Sequence, residues 1–467
     1  MVWLVVATAT AAVGAGEGNS RTAFRCLGRI KSRPAAEVQA SNWSVGAETM
    51  DRDYTIYRNW KSYLGPLGFK KARLQTGWAK TEKERGVYDW AWLDEIVFDL
   101  VEQKVEPWMC LSYGNPIYAD GGGTLLGAAI PRTEEALQAW EKLVRAIVAR
   151  YKHAIDEWEV WNEPNQGKGV TPGIYADFLI RTAEAIRQVQ PQARILAMSL
   201  AGVDAKFTDA VLKIVAAQGK LDLIDEITYH PYSFNPDKSY DAVARLRETI
   251  GRYSNRITIR QGENGAPSER RNTKALGKYD WTEVSQAKWA LRRLLGDLGR
   301  DIPSSYFSLM DMKYPDEMNR KGLLRSREDQ TVERIKPAYR ALQSLAAIFD
   351  DRLQRIPHYA WRTDRTESLS VFGYENRFTG RQVVTVWQDG EIPSDRTEKT
   401  DIDFTFFAGS FDQPVYVDLR EGKVYEIPPS HSSRWGAVYE FRGIPCYDSP
   451  ILIADKSLIP MVPTDNR

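Results

Sequence analysis

Residues 155–164 read IDEWEVWNEP, and the next patterned stretch, residues 174–190, has helical spacing. The β-like run ending at Trp161 has the length of a strand, and Pro164 cannot continue a ladder. The strand therefore stops just short of a carboxylate, Glu163. The same strand-then-helix unit repeats on both sides. Upstream, 105–113 (VEPWMCLSY) precedes a helix at 133–151, 70–75 (KKARLQ) precedes one at 88–103, and a first strand falls near 43–47. Downstream, 193–201 (ARILAMSLA), 223–230 (LIDEITYH), 257–261 (ITIRQ) and 305–310 (SYFSLM) precede helices at 206–218, 240–253, 283–298 and 335–349. Alternation of this kind argues for βαβ units and a parallel sheet. Eight units over some 300 residues suit a closed barrel, and no glycine-rich phosphate fingerprint follows the first strand. The spacing predicts an α/β chain with a (β/α)8 TIM barrel over residues 35–349.

Past Phe349 the pattern changes to short alternating runs at 368–374, 382–388, 401–407, 414–418, 439–442 and 451–454. Turn pairs such as Asp389-Gly390 and Glu421-Gly422 separate them. This predicts a β-sandwich accessory domain over residues 350–467, packed beside the barrel. A carbohydrate-binding role is a second reading of it.

The 467 residues are 43% hydrophobic, enough for a large core, and carry 63 basic against 62 acidic side chains for a net charge of +1. No basic stripe stands out, so a nucleic-acid partner is not expected. Cys26, Cys110 and Cys446 are far apart and fit neither a zinc site nor a disulfide framework; Cys110, in an apolar run, reads as a small buried hydrophobe. None of the four histidines has ligand spacing to another, so neither a metal nor a cofactor is expected. The run 3–13 has the length of a signal-peptide h-region and is too short to span a bilayer. No Lys or Arg precedes Arg21, which a mis-called start truncating a leader would explain. A truncated signal peptide or disordered tail over residues 1–20, and a secreted or periplasmic protein, are the expectations. No other stretch reaches membrane-spanning length, and the oligomeric state is left open.

Barrel enzymes carry their chemistry at the C-terminal ends of strands. Two carboxylates stand there: Glu163, between Asn162 and Pro164, and Glu263, within Gln261-Gly262-Glu263-Asn264-Gly265. Gly262 and Gly265 permit close backbone approach around the second acid. Glycoside hydrolysis needs such a pair, one to protonate the leaving oxygen and one to attack the anomeric carbon or activate water. Trp78, Trp158 and Trp161 are candidates for drying or lining the site.

The segments 161–164 (WNEP) and 262–264 (GEN) resemble the hallmarks of the large clan of retaining (β/α)8 glycosidases called clan A. The resemblance spans roughly residues 42–345. It implies that Glu163, after strand four, is the acid/base and Glu263, at the end of strand seven, the nucleophile. It further implies that Asn162 binds the sugar 2-hydroxyl, that Arg73 supports the nucleophile, and that His230 and Tyr232 line the site, the tyrosine hydroxyl near Glu263. Asn115, in the loop 113–116, and Trp78 are expected to contact substrate. Within the clan, 86–90 (GVYDW), the loop 113–116 and 336–339 (KPAY) resemble the β-xylosidase and α-L-iduronidase family, family thirty-nine. The sequence departs from the clan at strand eight, where many members carry a Trp and this chain reads SLMDMKY over 308–314. Asp311, Lys313 or Tyr314 is expected to take that place. The implied function is a retaining glycoside hydrolase acting on a polysaccharide or oligosaccharide. A silent glycan-binding barrel is the alternative. An inverting hydrolase would hold its carboxylates roughly 6.5–9.5 Å apart instead of about 5–5.5 Å, and a transglycosylase would share the same residues.

Overall fold

The computed structural model describes residues 24–271 and 274–464. The apolar run 3–13 lies outside the described residues. The barrel strands are β1 (Trp43–Gly46), β2 (Lys71–Gln75), β3 (Glu106–Leu111), β4 (Glu157–Val160), β5 (Arg194–Ala201), β6 (Glu226–His230), β7 (Thr258–Gln261) and β8 (Ser304–Tyr306). They close in sequence order. Closure runs through β1, whose Val45 lies opposite Ala72 of β2 and Tyr306 of β8, parallel to both. The longer helices of the outer ring are α1 (Ala91–Glu102), α2 (Glu134–Tyr151), α3 (Pro172–Val189), α4 (Ala205–Ala217), α5 (Tyr240–Gly251), α6 (Glu283–Leu298) and α7 (Pro337–Ile348). Thr133, Thr171 and Thr282 start α2, α3 and α6, each side chain accepting a backbone N–H of the first turn. No described helix is long and apolar enough to cross a membrane.

The barrel interior is layered by charge as well as by size. Trp108 of β3 lies between two guanidinium groups, Arg260 at 5.0 Å and Arg73 at 5.5 Å from its ring. Toward the N-terminal end, Arg260 is paired with Glu157 and Glu226 at 2.8 Å each. Toward the C-terminal end, Arg73 collects the groups described below. Glu157 and Glu159 are two apart on β4, so both point inward, one to each layer.

The C-terminal strands form an eight-stranded and a four-stranded antiparallel sheet. The larger sheet has two buried faces. Val384, Val386, Ile451 and Ile453 pack against Phe404, Phe406 and Phe441 of the smaller sheet. The alternate residues Val383, Trp387, Leu452 and Ala454 join the barrel's core. The period-two pattern of these strands thus feeds two cores at once. One strand of the larger sheet comes from the other end of the chain: Cys26–Ile30 pairs antiparallel with Lys423–Glu426 and with Met461–Pro463. Sequence reading assigned no strand to that segment.

Helix α6 lies under this sandwich, and its polar residues Lys288, Arg292, Arg293 and Asp297 are buried with its apolar ones. Arg292 pairs with Asp237 and donates to Asn235 Oδ1, while Arg293 donates to Pro231 O and Ser233 Oγ. These bonds fix the loop after β6. Among the described residues all three cysteines are free thiols, and Cys110 is fully buried.

Candidate active site

Strand β4 ends in a backbone that only a well-supported site tolerates. Trp161 and Glu163 both take left-handed conformations, with φ of 68° and 52°. For residues with a side chain this costs of order 1 kcal/mol each. The Glu163 N–H donates to Ser199 O at 2.9 Å, which holds the turn. Ser199 itself lies in a register shift of β5 between Ala197 and Leu200. Such a bulge redirects side chains, and the Ser199 hydroxyl accepts from Arg73 at 3.1 Å. At the end of β7, a Cβ on Gly265 would stand 1.8 Å from Phe307 O, so only glycine fits there.

Arg73 is the hub. It is fully buried, and its guanidinium donates to Glu159 through Nε and Nη2, to Asn162 Oδ1 at 2.8 Å, to Glu48 Oε1 at 3.0 Å and to Glu263 Oε2 at 2.9 Å. The other oxygen of Glu263 accepts from the Tyr232 hydroxyl at 2.8 Å. Burial alone would raise the Glu263 carboxyl. The charges of His230 and Arg73 and the hydrogen bonds from Tyr232 and Arg73 outweigh it and hold the group below its usual range. Burial and the Glu263 charge push the Tyr232 hydroxyl well above the tyrosine range, so it stays a donor.

Glu163 faces this cluster through His230. The His230 Nδ1 lies 2.8 Å from Glu163 Oε1 and 3.8 Å from Glu263 Oε2. Its Nε2 lies 3.1 Å from Ser199 Oγ. Burial disfavours the His230 cation, but Glu263 and the bond to Glu163 more than offset it and raise the ring above its usual value. Gln166 donates to the second Glu163 oxygen. One oxygen of Glu163, one of Glu263 and a nitrogen of His230 all lie within 4.8 Å of one another.

The structure thus brings together Glu163, Glu263, Asn162, Arg73, His230 and Tyr232. Tyr314 stands nearby on the rim, half-buried against Tyr54 at 4.9 Å. Three other residues expected at the substrate lie elsewhere. Trp78 is fully buried behind the site, stacked on Tyr118 and edge-on to Trp140, with its indole N–H on Glu82. Asn115 is spent on its own loop, donating to Glu82 O and accepting from Ile117 N–H. Asp311 is a buried anchor, paired with Lys336 at 2.7 Å and Arg320 at 3.2 Å and accepting from Gly322 N–H. Trp158 and Trp161 are likewise enclosed, Trp158 donating to Gln190 and Trp161 packing on Tyr113, Trp140 and Phe178. The Lys313 side chain is 45% exposed and turned to Glu328.

The Asp311 pairing carries a test. Asp311→Ala leaves the Lys336 ammonium buried without its carboxylate, at an expected cost of about 3–5 kcal/mol. Urea unfolding should show that loss while KM for an aryl glycoside changes little; a large KM change at unaltered stability would return Asp311 to the substrate.

Three groups at the site were missed in the sequence, Glu48, Glu159 and Ser199; Tyr113, in the loop 113–116 expected at the substrate, accepts from Asn162 Nδ2 through its hydroxyl at 2.9 Å. Only Glu159 had a legible signal, two acids at alternate positions of a strand destined for a barrel interior.

Residues 69–258 match the profile of the family described as Glycosyl hydrolases family 39. No curated protein matches the chain. Among solved structures, a family 39 glycoside hydrolase from the gut symbiont Bacteroides cellulosilyticus WH2 is 19% identical, with 91% of this chain and 81% of that one aligned at a TM-score of 0.64. The GH39 enzyme from Xanthomonas axonopodis pv. citri is 18% identical over 94% of this chain and 99% of its own, at 0.59. A monomeric β-xylosidase from Caulobacter crescentus CB15 is 16% identical over 92% and 97%, at 0.58. These likenesses concern the fold. The profile match covers β2 through β6 and the segment carrying Glu163; over that span the chain is similar to family 39, and the protein is a glycoside hydrolase.

Proposed function

We propose that the enzyme hydrolyses its carbohydrate substrate by double displacement, with Glu263 as nucleophile and Glu163 as acid/base. The observation that carries this reading is the separation of the two carboxylates, whose nearest oxygens lie within 4.8 Å. That distance suits direct attack by one carboxylate, whereas an inverting pair stands roughly 6.5–9.5 Å apart to admit a water.

The surroundings divide the labour. Arg73 and Tyr232 hold both oxygens of Glu263 as an anion, ready to attack the anomeric carbon and later to leave it. Glu163, aimed by His230 and Gln166, protonates the departing oxygen and then takes a proton from the incoming water. Asn162 is fixed by Arg73 and Tyr113 and keeps a second amide N–H for the sugar's 2-hydroxyl.

Proton NMR of the first product formed from a panel of aryl glycosides, xylosides first, tests the mechanism. The sugar released should carry the substrate's own anomeric configuration. First-formed product of opposite configuration would overturn the reading.

A further inference from the structure

Four carboxyl groups, Glu48, Glu159, Glu163 and Glu263, converge with two basic side chains, Arg73 and His230. Glu159 of β4 takes two guanidinium nitrogens and so balances the Arg73 charge. The remaining nitrogen, Nη1, carries two hydrogens. It gives one to Glu263 and the other to Glu48, which follows β1 and whose side chain is 1% exposed. Around Glu48 stand Arg73 on β2, His230 and Tyr232 from β6, and Glu263 after β7; Glu159 lies on the far side of Arg73. With Glu159 bonded along one side of the guanidinium and the Glu263 anion on the other, a further buried anion at Glu48 would have no cation of its own.

We propose that Glu48 is a positioning residue that tunes the nucleophile through Arg73: as a neutral acid it leaves the guanidinium charge to Glu263, and as a carboxylate it draws that charge away. This rests on the double-displacement reading. Burial pushes the Glu48 carboxyl up to about 8; Arg73 pulls against it, and the Glu263 charge adds to it. Its titration therefore falls in the working range of an enzyme. The two half-reactions feel it in opposite senses. Attack on the sugar gains from a less stabilised Glu263 anion, whereas hydrolysis of the glycosyl ester, in which Glu263 is the leaving group, slows.

Two measurements test this. In the first, the infrared spectrum of the wild type minus that of Glu48→Gln isolates the carbonyl band of a protonated Glu48. The band should be present at neutral pH and lost in alkali, and adding Glu263→Gln to both proteins should make Glu48 about tenfold more acidic by removing the neighbouring anion. Absence of the band at neutral pH, or indifference to Glu263→Gln, would overturn the proposal whatever the reaction mechanism. In the second, enzyme trapped by an activated aryl glycoside of a fluorinated xylose is freed of excess reagent and its reactivation followed from about pH 6 to about pH 9.5. Glu163 serves as the base in that step. The wild type should slow about tenfold in alkali, and Glu48→Gln should keep the neutral rate within about twofold and lose the alkaline fall. An alkaline fall that persists in Glu48→Gln would assign it to another group and overturn the proposal. Failure to form any adduct on Glu263 would count against the double-displacement reading, and the infrared result would still decide the state of Glu48.

Discussion

Glu263→Ala is expected to lower kcat on an activated aryl glycoside by about ten-thousandfold or more. The size follows from what remains. Glu163 and His230 would still protonate a leaving group, but no carboxylate would face the anomeric carbon, and the attacking step would fall to water held in no fixed geometry. Arg73 and Tyr232 would stay in place with their donors turned toward the vacated space. A small anion such as azide should bind there and restore turnover, giving a glycosyl azide of inverted configuration. The measurement is kcat with and without azide, together with the anomeric configuration of the product. Turnover by Glu263→Ala at the wild-type rate would sink the assignment of the nucleophile.

Arg73→Met is expected to have the largest effect on stability, about 3–5 kcal/mol, because it leaves buried carboxylates without their cation. Arg73 serves Glu48, Glu159 and Glu263 at once, and both its own side chain and that of Glu159 are fully buried. The pH dependence has a definite sign. In the wild type Glu263 is held below its usual range, so its contribution is present at neutral pH and is lost as pH falls through its folded value. In the variant Glu263 loses the Arg73 charge and hydrogen bond that oppose burial, and folding then favours its protonated form. The deficit should therefore be greatest at neutral pH and shrink in acid. Urea unfolding of both proteins across that range measures it, and a deficit independent of pH would mean that packing, not charge, is what the guanidinium supplies. Arg73→Lys should recover little, since an ammonium has three donors and no planar fork to span three carboxyl groups.

The barrel could be read from the sequence because its units are regular. Each strand is a short β-like run, each following helix has a periodic face, and the acids at the ends of β4 and β7 sit beside proline or glycine. The errors have a common physical origin. Residues just past a strand can turn into the mouth, as Glu163 and Tyr232 do, or outward beneath the helices, as Trp78 does, and periodicity does not distinguish the two. Asp311 and Asn115 are polar groups near the right strand ends, but their partners, Lys336 and the carbonyl of Glu82, lie 25 and 33 residues away in sequence. Glu48 escaped notice because nothing in the run 43–49 marks it; only the folded barrel brings it to Arg73. The strand Cys26–Ile30 escaped because its partners are at the opposite end of the chain.

That strand has a consequence for how the molecule is made. Arg25 and Glu426, bonded across the sheet, are 401 residues apart in sequence. During synthesis the segment Cys26–Ile30 emerges before any part of the barrel, yet the strands that flank it emerge only after the whole of it. The barrel can close while that first strand waits, an unpaired edge in the meantime, and the large sheet is completed only when the last strands arrive. In connectivity the barrel is an insert between two parts of one sandwich sheet. Linking residue 26 to residue 463 through a flexible linker and opening a barrel loop on the face away from Glu163 should leave a foldable enzyme, whereas a fragment beginning at residue 350 should be short of a strand and prone to recruit one from a neighbour.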